Sequence, residues 1–246
     1  MPPFGPAWAL FLDIDGTLLD IAERPDAVRI GAREIALLSQ LHRAAHGALA
    51  LVSGRTLAAI DALVHPLRLP AAGQHGVERR DARGALHGMD FPVEALQRVS
   101  RDIESFAKKH DGLVLENKGH SLSLHYRLAP RLGDAVHALM REAAAQLGDW
   151  VEVQSGKMVA ELKPVGRDKG VAIEEFMREP PFSGRTAVFL GDDITDEHGF
   201  RAVNRIGGHS IKVGEGSSAA RWRLPDPAAA RDWLAAWLAA VAFAHR

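Results

Sequence analysis

The sequence contains no cysteine, so disulfide bonds, thiolate catalysis and cysteine-ligated zinc are excluded. It also lacks an excess of charge of either sign, because 30 basic residues face 31 acidic ones. A nucleic-acid-binding protein would be expected to carry a basic surplus or a basic stripe. We therefore expect no nucleic-acid partner.

Long hydrophobic runs are absent as well. No stretch approaches the ~20 consecutive apolar residues that a membrane-spanning helix needs. The first 23 residues contain no Lys or Arg, and their short apolar run is interrupted by Asp13, which is unlike a signal peptide. We predict a cytoplasmic protein that is monomeric and has no membrane partner.

The pattern of apolar residues indicates the fold class. Apolar runs predict buried strands at 7–12, 48–52 and 185–190, and helical spacing is present at 32–45 and 196–203. Strands that alternate with helices pair in parallel, and ligands of such sheets bind beyond the carboxyl ends of the strands. The prediction is an α/β protein with a Rossmann-like parallel-sheet core.

The middle of the chain has a different pattern, in which a helix followed by a hairpin occurs twice. The segments SLSLHYR and MVAEL alternate in the manner of half-exposed antiparallel strands. Pro and Gly near 89–92 and 164–166 mark boundaries. We predict a core of residues 1–90 and 166–246 and an inserted α+β domain of residues 91–165.

Two clusters of acids directly follow predicted strands. Asp13 and Asp15 stand one residue apart in DIDGT, and GDDITDE places four acids, Asp192 among them, within six residues. A turn with capping Asp residues is the structural alternative for DIDGT. One of the four acids after the buried strand could cap the next helix, but the others need a cation, a lysine or solvent.

Two further positions suit an anion. Ser53 begins the stretch Ser53-Gly54-Arg55 between a strand and a helix, where a hydroxyl and free helix N–H groups bind phosphate. The structural alternative is a helix N-cap. Lys169 precedes the helical run VAIEEFM, and its alternative is a solvated surface lysine.

The acid clusters and the two anion-binding positions are best interpreted as parts of one site. The carboxyl ends of parallel strands meet at one edge of a sheet, so these side chains are expected to converge. We predict a hard divalent cation with oxygen ligands, Mg²⁺, beside a phosphate held by Ser53 and Lys169. Asp13 and Asp15 then face the cation together with Asp192.

These four motifs resemble those of the haloacid dehalogenase superfamily of phosphatases, and the resemblance covers nearly the whole chain. That superfamily often carries a cap domain where this chain has its insert. Shorter motifs resemble the trehalose-6-phosphate phosphatases more narrowly, although the Arg-Pro frequent after the last glutamate of that family is Leu162-Lys163-Pro164 here. The shorter motifs are GQHGVE at 73–78, ENK at 116–118, HYR at 125–127, and GK at 156–157 with Glu161.

The resemblance implies Mg²⁺-dependent hydrolysis of the sugar phosphate trehalose 6-phosphate, the last step of trehalose biosynthesis, through an aspartyl-phosphate. Asp13 would be the nucleophile and Asp15 the general acid and base. The side chains of Asp13 and Asp192 and the backbone carbonyl of Asp15 would hold Mg²⁺. Asp193 and Asp196 would lie in outer positions that orient water or Lys169.

Further substrate contacts are implied for the core and the insert. Ser53 and Lys169 would hold the phosphoryl oxygens, and Glu116, Lys118 and Glu161 would bind glucose hydroxyls as the cap closes. The alternative for the insert residues is a set of exposed strand-face charges. The implied substrate-binding residues are Asp13, Asp15, Ser53, Gly54, Arg55, His75, Glu116, Lys118, Arg127, Lys157 and Glu161.

Other functions stay open at this point. The same chemistry could serve sucrose 6-phosphate or mannosyl-3-phosphoglycerate, and an aspartyl-phosphate could pass to an acceptor other than water. A non-catalytic sugar-phosphate sensor is the alternative of another class. A sensor would not need to retain both the nucleophile Asp13 and the acid Asp15.

Overall fold

The computed structural model describes residues 1–21, 28–89, 91–156 and 158–244. The chain forms two compact units, one of Met1–Gly88 with Arg167–Arg246 and one of Met89–Gly166. We call them the core unit and the insert unit. The insert unit begins two residues before the predicted boundary and ends one residue after it.

The elements of both units are numbered in chain order. The strands are β1 Trp8–Leu12, β2 Leu49–Val52, β3 Ala71–Gly73, β4 Glu78–Arg80, β5 Leu86–Gly88, β6 Val114–Asn117, β7 Leu122–His125, β8 Val151–Gly156, β9 Val159–Pro164, β10 Thr186–Gly191, β11 His209–Val213 and β12 Trp222–Leu224. The helices are α1 Ala32–Ala44, α2 Leu57–Val64, α3 Val93–Ala107, α4 Gly133–Leu147, α5 Lys169–Met177, α6 Asp196–Arg205 and α7 Pro227–Ala244.

The core unit is built on an eight-stranded sheet in the order β12-β11-β10-β1-β2-β3-β4-β5. The strands from β12 to β3 pair in parallel, whereas β4 and β5 extend the sheet as antiparallel strands. β1 lies in the middle and is fully buried, as a continuous apolar run such as WALFL requires. This mixed, largely parallel sheet confirms the predicted fold class.

Helices of the core unit bury apolar faces against the sheet. In α1, Leu38 and Leu41 are buried, three residues apart on one face. In α7, Trp237 is fully buried and stacks on Trp8 of β1, with ring centroids 5.8 Å apart. Among the residues that the structure describes, no helix combines the length and the apolar character needed to cross a membrane.

The insert unit has a hydrophobic core of its own. Its four antiparallel strands have the order β6-β7-β9-β8. The buried residues Leu96, Val99 and Ile103 lie on one face of α3, and Met140 of α4 belongs to the same core. Leu162 of β9 packs in this core from the sheet side. The unit is therefore an α+β layer, as the two helix–hairpin patterns predicted.

Four short strands of the core unit were not predicted. They are AAG, ERR, LHG and WRL, the sequences of β3, β4, β5 and β12. Each is only three residues long, too short for a period to be recognised in the sequence, and each forms by pairing with a neighbouring strand. In the insert unit, the strand predicted from SLSLHYR ends at His125.

Candidate active site

The register of the central strands brings two distant acids together. Leu12 of β1 pairs with Leu190 of β10, and the amide of Asp13 donates to the carbonyl oxygen of Leu190 at 3.0 Å. Asp13 and Asp192 thus follow the carboxyl ends of adjacent parallel strands. Carboxylate oxygens of these two residues and of Asp196 all lie within 4.8 Å of one another.

Lys169 joins this group from the start of α5. Its Nζ donates to Asp13 Oδ1 at 2.8 Å and to Asp196 Oδ1 at 2.7 Å. The three side chains are buried, with at most 4% of any of the three residues exposed. Asp168 caps the helix, since its Oδ1 accepts from the amide of Val171 at 2.9 Å. The surface-lysine alternative for Lys169 is therefore wrong.

The cluster holds more negative than positive charge. Three carboxylates face one ammonium, which leaves two negative charges in excess if all ionise. Burial raises the pKa of Asp13 well above its usual value, and Lys169 opposes that rise. Burial and the neighbouring Asp196 also raise the pKa of Asp192. Burial alone would lower the pKa of Lys169, but the two carboxylates it contacts outweigh this and raise it.

Asp196 holds the loop after β10 in place through hydrogen bonds. Its Oδ2 accepts from the amides of Asp192 and Asp193, both at 2.9 Å, while its Oδ1 is taken by Lys169. Both carboxylate oxygens of Asp196 therefore already accept hydrogen bonds. This is compatible with the prediction that Asp196 lies outside the metal ligands and orients Lys169. Asp193 is exposed, and its Oδ1 accepts from the amide of Ile194 at 2.5 Å.

Thr17 and Gly16 belong to the site, although no role was predicted for them. The buried hydroxyl of Thr17 donates to Asp192 Oδ1 at 3.0 Å and lies 3.5 Å from Asp13 Oδ2. Gly16 has φ +82°, and a Cβ at this position would lie 2.1 Å from Asp192 Oδ2. The Gly-Thr that follows DID was visible in the sequence, but the approach of Asp192 to it was not.

The Ser53 loop follows the carboxyl end of β2, the neighbour of β1. Ser53 is buried, and its Oγ accepts from the amide of Arg55 at 3.2 Å. Arg55 forms a bidentate ion pair with Asp15, at 2.6 Å to Oδ2 and 2.7 Å to Oδ1. The hydrogen bonds with Asp15 raise the pKa of Arg55. The loop therefore contacts DIDGT directly, through a pair that the sequence did not reveal.

Residues 73–78 brace this loop from β3. Gln74 and His75 both adopt positive φ, at 47° and 58°, which is uncommon for residues other than glycine. The amide of His75 donates to the Ser53 carbonyl at 3.0 Å. Glu78 Oε1 accepts from the amide of Leu57 at 2.8 Å, so Glu78 supports the start of α2.

A separate charged cluster lies on the sheet of the insert unit. Glu116 and Glu161 stand on β6 and β9, both in register with Ser123 of the intervening β7. Lys118 Nζ lies 3.9 Å from a carboxylate oxygen of each glutamate. His125 lies 3.3 Å from Glu116 and, through this contact, lowers the pKa of the glutamate.

Of the other predicted insert residues, Arg127 does not join this cluster. Arg127 is exposed in the turn after β7, outside the strand in which it was predicted. Lys157 lies outside the described residues.

The core cluster fits a divalent cation. Carboxylate oxygens of Asp13 and Asp192 lie within 4.8 Å of each other, and hard cations such as Mg²⁺ prefer carboxylate oxygen. The buried excess of negative charge is the feature that a bound cation would relieve. The carboxylate of Asp15 is paired with Arg55, which leaves its backbone carbonyl as the atom predicted to face the cation.

Comparison with known proteins identifies the relatives of the chain. A model of the trehalose-phosphatase family matches residues 11–228. A trehalose-6-phosphate phosphatase of Escherichia coli (strain K12) is 44% identical over 233 residues, which are 95% of this chain and 87% of that protein. The resemblance inferred from the motifs is confirmed.

Solved structures agree on the fold. A trehalose-6-phosphate phosphatase related protein has a TM-score of 0.76 and 28% identity, over 94% of this chain and 97% of its own. A haloacid dehalogenase-like hydrolase from Bacteroides thetaiotaomicron has a TM-score of 0.67 at 14% identity, over 94% of this chain and 99% of its own. The second likeness concerns the fold alone.

Proposed function

This chain belongs to the trehalose-phosphatase family, and from that membership we propose that it is a phosphoric monoester hydrolase that converts trehalose 6-phosphate to trehalose and phosphate. The observation that carries the proposal is the buried contact of Lys169 with Asp13, at the sheet edge where Asp192 also lies. These contacts support the roles that we propose: Asp13 as nucleophile, Lys169 as the positive charge for phosphoryl oxygens and Asp192 as a metal ligand.

In the first half of the proposed reaction, Asp13 attacks phosphorus. Lys169 donates to Oδ1 at 2.8 Å, whereas Thr17 contacts Oδ2 only at 3.5 Å, so Oδ2 is the oxygen that we propose for the attack. The bond from Oδ2 to phosphorus forms while the bond from phosphorus to the sugar oxygen breaks. Asp15, in its protonated form, gives its proton to the departing oxygen, and the product is an aspartyl-phosphate.

In the second half, water attacks phosphorus and the bond to Asp13 breaks. Asp15 takes the proton of the water, which requires the carboxylate form. The bidentate pair with Arg55 is made by that form. Lys169, together with the Ser53 hydroxyl and the amides that follow it, holds the phosphoryl oxygens as charge moves among them.

We propose Mg²⁺ as the cofactor, held by the Asp13 and Asp192 carboxylates and the Asp15 backbone carbonyl. When bound, the cation supplies positive charge to the phosphoryl oxygens and aligns them for in-line attack. Thr17 and Asp196 orient the Asp192 side chain and main chain.

We propose that the insert cluster selects the sugar. Glu116, Lys118 and Glu161 present acceptors and a donor on one sheet face, as recognition of several sugar hydroxyls demands. Arg127 and Lys157 stay predictions as substrate contacts, as do Gly54, Arg55 and His75. A cytoplasmic location and a monomeric state also stay predictions.

A panel of phosphate esters tests the substrate. We expect phosphate release from trehalose 6-phosphate to exceed that from sucrose 6-phosphate, mannosyl-3-phosphoglycerate and glucose 6-phosphate, and to stop when EDTA removes the cation. Asp13→Asn should lower kcat by more than about 10³-fold, as loss of a covalent nucleophile does. Lys118→Ala should raise KM for trehalose 6-phosphate but leave hydrolysis of p-nitrophenyl phosphate, which has no sugar, unchanged.

Several outcomes would contradict the proposal. Equal or better turnover of another sugar phosphate would replace trehalose 6-phosphate as the substrate. Wild-type turnover by Asp13→Asn would exclude the aspartyl-phosphate. Release of phosphate only when an acceptor sugar is present would indicate a phosphotransferase, and binding without any turnover would indicate a sensor.

A further inference from the structure

Lys212 is a buried lysine to which neither the motifs nor the proposed reaction assigns a role. It lies on β11, in register with Gly191 of β10, the residue that precedes Asp192. Only 7% of Lys212 is exposed. Its Nζ donates to the backbone carbonyl oxygen of Asp192 and, at 2.9 Å, to that of Val213.

Burial of the Lys212 ammonium costs free energy. A buried ammonium loses its hydration and needs acceptors in return. Among the described residues, no carboxylate lies within ion-pair distance of Lys212, and two backbone carbonyls take its hydrogens. Four of the five residues of β11 are buried, and β10 is buried apart from Thr186, so an apolar residue would be the ordinary occupant of this position.

The contact with Lys212 is one of three hydrogen bonds that hold Asp192. The Asp192 amide donates to Asp196 Oδ2 at 2.9 Å, and its Oδ1 accepts from Thr17 at 3.0 Å. Lys212 holds the remaining polar group, the carbonyl oxygen. Amide, carbonyl and carboxylate are therefore each fixed by a different element: α6, β11 and the loop after β1.

We propose that Lys212 is a positioning residue that fixes the main chain of Asp192, so that the Asp192 carboxylate is held in the orientation that binds the cation. The inference rests on the proposed function, in which Asp192 is a ligand of Mg²⁺. Lys212 touches neither substrate nor cation in this role. It acts through the peptide group of Asp192.

The test is direct binding of Mg²⁺ without substrate. MgCl₂ is titrated by calorimetry into metal-free wild type, Lys212→Met and Lys212→Arg, at a temperature where circular dichroism shows each to be folded. Loss of an outer partner of a metal ligand typically weakens metal affinity about 10–100-fold, so we expect Kd to rise about tenfold in Lys212→Met. Lys212→Arg keeps a charged donor and should restore most of the affinity.

Arg223→Met is the matched control. Arg223 lies on β12, in register with Lys212 of β11, and it also donates to two backbone carbonyls. It is exposed, and those carbonyls belong to Gly214 and Gly216 in the loop after β11, not to Asp192. We expect its Kd for Mg²⁺ to equal that of wild type. A lysine that served only the stability of the strand would lower Tm in Lys212→Met and leave Kd unchanged, and that result would overturn the inference.

The experiment is also decisive if a variant does not fold or if wild type does not bind Mg²⁺. If Lys212→Met does not fold, Lys212→Gln decides the question, and an unchanged Kd in that variant rejects the positioning role. If wild type itself binds no Mg²⁺, both this inference and the proposed cofactor are wrong. If wild type binds Mg²⁺ and the variants match it, only the role of Lys212 is wrong.

Discussion

At the residue scale, some residues of the site could be predicted from the sequence and others could not. Asp13 and Asp192 were predicted because each follows an apolar run that had to be a buried strand. Thr17 and Lys212 were missed, although a lysine inside the buried strand HSIKV was a signal that could have been used. The pair of Arg55 with Asp15 left no signal, because no local pattern states which arginine meets which acid.

Gly16 offers a test of how closely the two acid loops approach each other. In Gly16→Ala the new methyl would overlap the Asp192 carboxylate, and the positive φ would cost about 1–2 kcal/mol besides. We expect Asp192, the proposed metal ligand, to be displaced, and kcat to fall by about 10–100-fold, the size of effect seen when a partner that orients a metal ligand is lost. Steady-state kinetics at several Mg²⁺ concentrations would measure the loss.

Gly84→Ala is the control for backbone strain alone. Gly84 has φ +87°, but apart from its two chain neighbours no atom of the described residues lies within 4 Å of the added Cβ. Its free energy of unfolding should fall by a similar 1–2 kcal/mol, on the order expected for the left-handed region, with kcat unchanged. Equal kinetics in the two variants would show that Asp192 does not need the space above Gly16.

At the element scale, the position of a helix terminus decides where Lys169 acts. α5 begins at Lys169 itself, directly after its cap Asp168. The sequence predicted the helical run and placed the lysine just ahead of it. Strands β1, β2 and β10 were predictable from apolar runs, whereas AAG and ERR became β3 and β4 only because neighbouring strands were present to pair with them.

The cap of α5 should therefore matter for catalysis as well as for stability. Asp168→Ala removes the acceptor for the Val171 amide, and loss of an N-cap costs about 0.5–2 kcal/mol. Fraying of the first turn would shift Lys169 from Asp13, and a displacement of ~1 Å can cost up to about 10²-fold in rate. Urea denaturation and kcat, measured on the same preparation, check both effects.

Asp226→Ala removes a comparable cap from α7, where Asp226 Oδ1 accepts from the Ala229 amide at 2.8 Å. This helix carries none of the proposed catalytic residues. The loss of stability should be similar and kcat should not change. A fall in kcat in both variants would mean that general destabilisation, and not the position of Lys169, accounts for the effect.

At the scale of the whole molecule, the two ends of the chain build one unit. β1 near the amino terminus and α7 near the carboxyl terminus share the same core, and the insert unit has a second core of its own. Trp237 of α7 stacks on Trp8, and its Nε1 donates to the Gly5 carbonyl at 2.9 Å. Because β1 also leads to Asp13, packing of the carboxyl-terminal helix supports the strand that precedes the proposed nucleophile.

Trp237→Ala should therefore destabilise the core unit strongly. Removal of a fully buried tryptophan costs about 3–5 kcal/mol, and phosphatase activity should be lost at the same urea concentration as the helical signal of that unit. Trp150→Ala is the comparison, since Trp150 is 45% exposed and belongs to the insert unit. If Trp237→Ala matched Trp150→Ala in stability, α7 would not be an essential part of the core.

The sequence by itself determined the chemistry available to this protein and the order in which it appears: apolar runs long enough to be buried strands, acids and a serine directly after them, and a lysine at a helix start. These follow from local physics, since burial and turn formation are decided within a few residues. Only the tertiary structure decided which groups meet. The distances from Asp13 to Lys169, from Thr17 to Asp192 and from Lys212 to the Asp192 carbonyl are set by strand register and by packing between residues far apart in the chain, and no local pattern encodes them.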